Sequence, residues 1–253
     1  MVKGLNIEVS KVGLNEILYL RNLFLRENNF QIRYNAVHER NWCDSWLFRI
    51  NGTQVGYGSV KGKEDLANRD AIFEFFLIPP CRNFSNQAIE ELIHSSGVQF
   101  IECQTNDPFL TNLILKYGEN IRRDAILFED DGETRLSVTE VVFRAAREDD
   151  RMFAHRSEPE GDWVLERNGE IVATGGFLLH YNMPFSDLYM EVKTDCRRMG
   201  YGSFLIQELR KQSWIAGRVP AARCNIDNIA SKKTLLKGGM REVGFMLTGE
   251  IRT

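Results

Sequence analysis

The stretch DLYMEVKTDCRRMGYGSFLIQELRK, Asp187 to Lys211, begins as a strand and ends as a helix. Leu188, Met190 and Val192 alternate with other residues, as in a strand with one face in a core. After the turn, Phe204, Leu205, Leu209 and Trp214 give a helix an apolar stripe. Between the two lie Arg197, Arg198, Gly200 and Gly202. Glycines there can take positive φ and let successive N–H groups converge on an anion, with the unsatisfied donors of a helix N-terminus beside them. The arginines add charges suited to paired phosphate oxygens. Two readings stand side by side: a tight turn with solvated arginines, or a phosphate cradle.

The chain repeats itself. SWLFRINGTQVGYG from Ser45 reads like DWVLERNGEIVATG from Asp162. Trp46 matches Trp163, Asn51-Gly52 matches Asn168-Gly169, and Gly58 matches Gly175, all at one offset of 117 residues. Each copy is a strand, an Asn-Gly turn and a second strand, a strong hairpin signal. Downstream, Cys81-Arg82 lies against Cys196-Arg197, and CQTNDPFLTNLILKYG from Cys103 lies against CNIDNIASKKTLLKGG from Cys224. Two copies of about 120 residues suit two similar domains. The order expected in each copy is helix, hairpin, strand, helix, strand, helix, strand. Ile17, Leu20 and Phe24, spaced as on a helix behind a cap at Asn15, mark the first helix. The polar segment EDDGE, 129 to 133, is the expected boundary.

A second block follows the glycine turn. R-x-x-G-x-G (Arg197, Gly200, Gly202) is succeeded by N-x-x-S-x-x-x-L-x-x-x-G (Asn228, Ser231, Leu235, Gly239). This pair of blocks resembles the GNAT superfamily, the acyl-CoA-dependent N-acetyltransferases. The resemblance covers roughly the second half, while the first half is similar in layout only. It implies an α/β (α+β) protein of two tandem GNAT-like domains, each a mixed, mainly antiparallel sheet flanked by helices. Residues 1–131 would be a degenerate copy without CoA binding, and 132–253 the catalytic, acetyl-CoA-binding domain.

By the same resemblance, the turn Arg197, Arg198, Met199, Gly200, Tyr201, Gly202 and Ser203 holds the CoA pyrophosphate. Met190 and Val192 lie on the strand that pairs with the pantetheine arm, Asn228 matches the asparagine that faces that arm, and Ser231, also expected at the cofactor, sits one helical turn on. Asn228 is also placed to cap a helix ending at the glycines 238 and 239. Transfer to an amine needs a proton acceptor, because a free alkylamine has a pKa of about 10. Glu191 and Asp187 are the carboxylates nearest the presumed thioester, with Glu191 on the strand face opposite Met190 and Val192. The tyrosine that often serves the family as general acid is Leu235 here. Tyr189, Tyr201 and His180 are substitutes by type only, and no cysteine stands out as an acyl carrier. The first copy departs further: its turn CRNFSNQ is shorter and has no glycine, and Pro108 stands where the second copy has Ile229.

The reaction expected is direct acetyl transfer from acetyl-CoA to a small-molecule or peptide amine, entering between the domains. The competing reading is a non-catalytic acyl-CoA sensor or scaffold. Bulk properties agree with a soluble globular protein. With 43% hydrophobic and 26% charged residues and a formal charge of −3, there is no basic footprint for nucleic acid. No apolar run reaches the roughly 20 residues of a membrane span, and the N-terminus lacks a signal peptide's apolar core. Five cysteines without a C-x-x-C pair and four scattered histidines point to a reducing, cytoplasmic setting with no metal site.

Overall fold

The computed structural model describes residues 7–28, 30–31 and 34–252. Strand β1 (Ile7–Val12), α1 (Leu14–Glu27) and α2 (Tyr34–Glu39) precede the hairpin of β2 (Cys43–Ile50) and β3 (Thr53–Lys61). Next come β4 (Ala71–Leu77), α3 (Ser85–Ser96), β5 (Phe100–Gln104), α4 (Pro108–Tyr117) and β6 (Gly118–Asp130). The second series is β7 (Val142–Ala145), β8 (Trp163–Arg167), β9 (Glu170–Leu178), β10 (Phe185–Val192), α5 (Tyr201–Ile215), β11 (Val219–Asn225), α6 (Ile229–Lys237) and β12 (Met240–Ile251).

The repeated hairpin is realised twice with the same geometry. Asn51 and Gly52 have φ of 50° and 79°, and Asn168 and Gly169 have the same two values. Positive φ at both central residues makes each a type I′ turn, whose twist matches the flanking strands. Trp46 faces Gly58 and Trp163 faces Gly175 in register, and both hairpins slip register at the corresponding step, Phe48/Arg49 and Leu165/Glu166.

Two compact units form. Unit 1 comprises Met1–Phe30, Asn35–Asp124 and Phe245–Thr253, and unit 2 comprises Gln31–Tyr34 and Ala125–Gly244. In unit 1 the strand order is β1-β2-β3-β4-β5-β12-β6, and in unit 2 it is β12-β6-β11-β10-β9-β8-β7. Most pairings are antiparallel, while β4–β5 and β10–β11 are parallel. This division differs from a cut at 131/132. Residues Met246 to Glu250 of β12 pair with β5, and Leu247 is buried in the core of unit 1. Pairing between strands distant in sequence overrides the repeat boundary.

Other expectations are altered too. Helix α1 buries Ile17, Leu20 and Phe24, but its cap is Gly13, whose N–H donates to Glu16 Oε1. The second copy has no helix before its hairpin: residues 146–162 are irregular. AREDDRMFAHRSEPEGD lacks the apolar spacing that would bury one helical face. Trp214 is 51% exposed, its indole N–H bonded to Asp130 Oδ2 at 3.1 Å, so the buried stripe of α5 rests on Leu205 and Leu209.

Unit 1 encloses a charge. Glu74 on β4 is fully buried and accepts from Arg21 Nε (3.2 Å) and Nη2 (3.1 Å) on α1 and from Tyr57 Oη (3.0 Å) on β3. His38 Nε2 of α2 lies 3.0 Å from the same carboxylate. Burial opposes ionisation, but Arg21 and His38 outweigh it and hold Glu74 at about 2. The network fastens α1 and α2 to the sheet, and losing one partner strands the others in the core. Glu74→Gln is expected to destabilise unit 1 by about 3–5 kcal/mol, read in urea melts followed by hydrogen exchange of α1 amides. A carboxylate depressed in the fold stabilises above its unfolded pKa of about 4.3, so the wild type's advantage over this variant fades as pH falls toward 2.

Candidate active site

Strand β10 is held unevenly. Six residues, Asp187 to Val192, pair with β9, whereas only Phe185, Ser186 and Asp187 pair with β11. Beyond Asp187 the two parallel strands part. From Leu188 to Val192 one edge of β10 has no strand partner among the described residues, so alternate N–H and C=O groups face a gap.

The chain then enters the glycine turn. A short 3₁₀ segment, Thr194–Cys196, is followed by Arg197 in extended conformation, Arg198 at φ 66° and Gly200 at φ 86°. The first bond to Gly200 O comes from Phe204 N, so the N–H groups of Tyr201, Gly202 and Ser203 stand ahead of the α5 ladder. A side chain at Gly200 would be strained by its φ, though open space surrounds the position. A Cβ at Gly202 would lie 3.0 Å from Thr234 Cγ2 and 3.3 Å from Met190 Cε. Gly202 thus lets α5 settle onto β10 and α6. Arg198 and Met199 are exposed, while Tyr201 and Ser203 are buried. The Arg197 side chain turns back: its Nε donates to Val192 O at 3.3 Å, and its Nη2 lies 3.8 Å from Glu191.

On the strand face opposite α5 the picture differs from the expectation of an available base at Glu191. Glu191 is only 6% exposed. Its carboxylate accepts from the backbone N–H groups of Arg156 (3.0 and 3.1 Å), Ser157 (3.2 Å) and Glu158 (3.2 Å). Burial alone would raise its pKa, but these amides and His155 hold it below the ordinary range. His155 Nδ1 lies 3.0 Å from Glu158 O and its Nε2 3.0 Å from Thr174 Oγ1, which ties the same loop to β9. Asp187 sits where the strands part, with Oδ2 2.9 Å from His180 Nε2. Glu158 is half-buried, and its carboxyl is raised by burial and by Asp187 and Glu191, opposed by Arg223. Tyr189 is raised as well, by burial and then by Asp162 and Glu158.

Asn228 is the N-cap of α6, its Oδ1 accepting from Ser231 N at 3.0 Å. Ser231 also lies beside the Cys224 thiol. Leu235 is 4% exposed, a core residue of α6. Among the described residues no group of histidines, cysteines and carboxylates could hold a metal, and no helix is long and apolar enough to cross a membrane.

Comparison with known proteins agrees with this geometry. Residues 14–131 match the model of an acetyltransferase (GNAT) domain, and residues 126–236 match that of the acetyltransferase (GNAT) family. The chain belongs to the GNAT acetyltransferases. A GNAT-family acetyltransferase from Colwellia psychrerythraea is similar in fold, with a TM-score of 0.77 at 13% identity, covering 97% of this chain and all of that one. A GCN5-related N-acetyltransferase from Sphaerobacter thermophilus aligns over 98% of this chain and 96% of its own, with a TM-score of 0.58 at 13% identity. A tandem GNAT protein of the clavulanic acid biosynthesis pathway has the same TM-score at 10% identity, covering 98% and 99%. No curated protein matches.

The two GNAT units differ where the site lies. In unit 1, β4 and β5 also part early, pairing only at Ala71 and Ile72. There the junction is a 3₁₀ helix, Pro79–Phe84, and 78–96 contain no positive φ. Phe109 fills the neighbourhood, its ring 5.8 Å from that of Phe75 and 5.4 Å from the Arg82 guanidinium. The aligned residue of unit 2 is the exposed Ala230. Arg82 Nε donates to Leu77 O at 3.4 Å, as Arg197 does to Val192 O. This arginine therefore locks the strand end in both units. Sequence reading did not find Glu158 or His155, whose places are set by bonds to backbone atoms. Glu191→Ala is expected to speed hydrogen exchange at Arg156, Ser157 and Glu158 by about tenfold or more, with little change in α5. In the wild type the same protection should weaken as pH falls through the depressed pKa of Glu191.

Proposed function

We propose that unit 2 is an N-acetyltransferase that moves an acetyl group from acetyl-CoA to an amine of a small molecule or peptide. The observation that carries this is the free edge of β10, from Leu188 to Val192, leading directly into a turn with two left-handed residues and a helix N-terminus. An extended amide-bearing arm needs such an edge, and a pyrophosphate needs converging N–H groups. Met190 and Val192 would line the arm. The N–H groups from Arg198 through Met199 and Gly200 to Ser203, with the Arg198 charge, would hold the phosphates, and Arg197 would keep the turn in place. Asn228 and Ser231 would border the arm from α6. The bound thioester supplies the activated acyl group. The acidic face around Asp187 draws in the ammonium form of the acceptor and takes its proton, with Glu191 shaping that face.

Unit 1 would support the fold without holding CoA, since Phe109 packs against Phe75 of β4 and residues 78–96 contain no positive φ. An odd cysteine count with no C-x-x-C pair supports a cytoplasmic enzyme. One observation favours the non-catalytic sensor reading, the buried Leu235 at the family's usual acid position. Acetyl-CoA binding without thiol release across a broad amine panel would favour the sensor. CoA at about 100 times its Kd is expected to stabilise the protein by about 2.7 kcal/mol, seen as a rise in Tm. Gly200→Val should abolish that rise and Ser85→Ala should not. Equal loss in both would sink the assignment to unit 2.

A further inference from the structure

Three carboxylates gather on the face of unit 2 opposite α5, and two are already engaged. The oxygens of Glu191 are taken by three backbone N–H groups, and Asp187 Oδ2 is taken by His180. The third, Glu158, has no hydrogen bond to its carboxylate among the described residues. Its backbone is nonetheless fixed, because Glu158 N donates to Glu191 Oε2 and Glu158 O lies 3.0 Å from His155 Nδ1. The charges that act on its carboxyl come from both sides of the parted strands: Asp187 and Glu191 on β10, Arg223 on β11. Asp187 is paired in register with Ala221, two residues before Arg223, so these side chains share one face.

Resting on the acetyl-transfer reading above, we propose that Glu158 is the group that takes the proton from the acceptor amine, and that Glu191 is the positioning residue that holds it over the gap. An ammonium donates one proton to the Glu158 carboxylate. The freed nitrogen pair forms the N–C bond to the acyl carbon while the C–S bond breaks, and a second nitrogen proton ends on the sulfur. The proton on Glu158 then passes to water. Burial and the neighbouring carboxylates raise Glu158, moving it toward the range in which a carboxylate is an effective base, and Arg223 limits the rise. The acceptor this selects is a cationic amine without its own carboxylate close to the nitrogen, since a second anion would meet Asp187, Glu158 and Glu191 together.

The test uses the full chain labelled with ¹³C at glutamate carboxyls, with n-butylammonium as acceptor probe. One resonance, absent in Glu158→Gln, should titrate above the ordinary glutamate range, fall toward it in Asp187→Asn, and shift when n-butylammonium is added with CoA present. With acetyl-CoA and n-butylamine, Glu158→Gln should cut thiol release by about 100-fold or more and remove the acid limb of kcat/KM. Glu158→Asp should recover part of the rate, and Glu191→Gln should shift the limb without removing it. An ordinary titration of Glu158, indifference of its resonance to n-butylammonium, or wild-type thiol release in Glu158→Gln would each overturn the proposal. If n-butylamine is not turned over, the titration and the ammonium shift decide. The CoA-induced rise in Tm is the separate control: its absence in the wild type defeats the acetyl-CoA reading, whereas its survival in Glu158→Gln beside an ordinary titration defeats only the role of Glu158.

Discussion

β10 is bonded to β9 from Asp187 to Val192 but to β11 only from Phe185 to Asp187, so its other edge lacks the ladder that an interior strand requires. Each peptide group left unpaired away from water costs about 1–3 kcal/mol, so such an edge persists where water or a ligand reaches it. It must also be held by other means. Glu191 anchors it to the loop at 156–158 on one face. Ser186 is bonded to Ser213 of α5 at 2.6 Å on the other face, and Arg197 closes the strand's last carbonyl. The close seating of α5 at Gly202 adds the remaining restraint. The opening is thus supported from every side except the one that faces β11.

Unit 1 meets the same backbone problem with the opposite solution. Its β4 leaves β5 after Ile72, yet Phe75, Phe76 and Leu77 are buried, and Phe109 packs where unit 2 has an exposed alanine. Its one fully buried carboxylate on β4, Glu74, is neutralised within the core by Arg21. One architecture therefore yields an open edge in one copy and a closed core in the other, through a handful of side chains.

Local chemistry was readable in the residues, and non-local pairing was not. The Asn-Gly hairpins and the buried stripe of α1 follow from interactions within a few residues, so their patterns survive in the sequence. The turn from Arg197 to Gly202 was readable for the same reason. The pairing of β12 with β5 joins residues more than a hundred positions apart, and nothing in its local alternation marks which sheet it enters. The missing helix before β8 shows the limit of extending one copy's layout to the other. Glu191 looked like an available base because its partners are backbone N–H groups 33 to 35 residues away, which any sequence would supply. Glu158 was hidden by the same fact, since its position comes from the loop's path and not from its neighbours.

The path of β12 has a consequence for how the protein is made. Residues 245–251 complete the sheet of unit 1, yet they are synthesised after all of unit 2. On the ribosome, the first hundred or so residues emerge with β5 still missing a neighbour and Ile101 and Cys103 facing an unfinished core. That exposed edge is an invitation to wrong partners until the last strand arrives. Neither unit corresponds to a contiguous gene fragment, so splitting the coding sequence between the repeats would sever unit 1 from its closing strand.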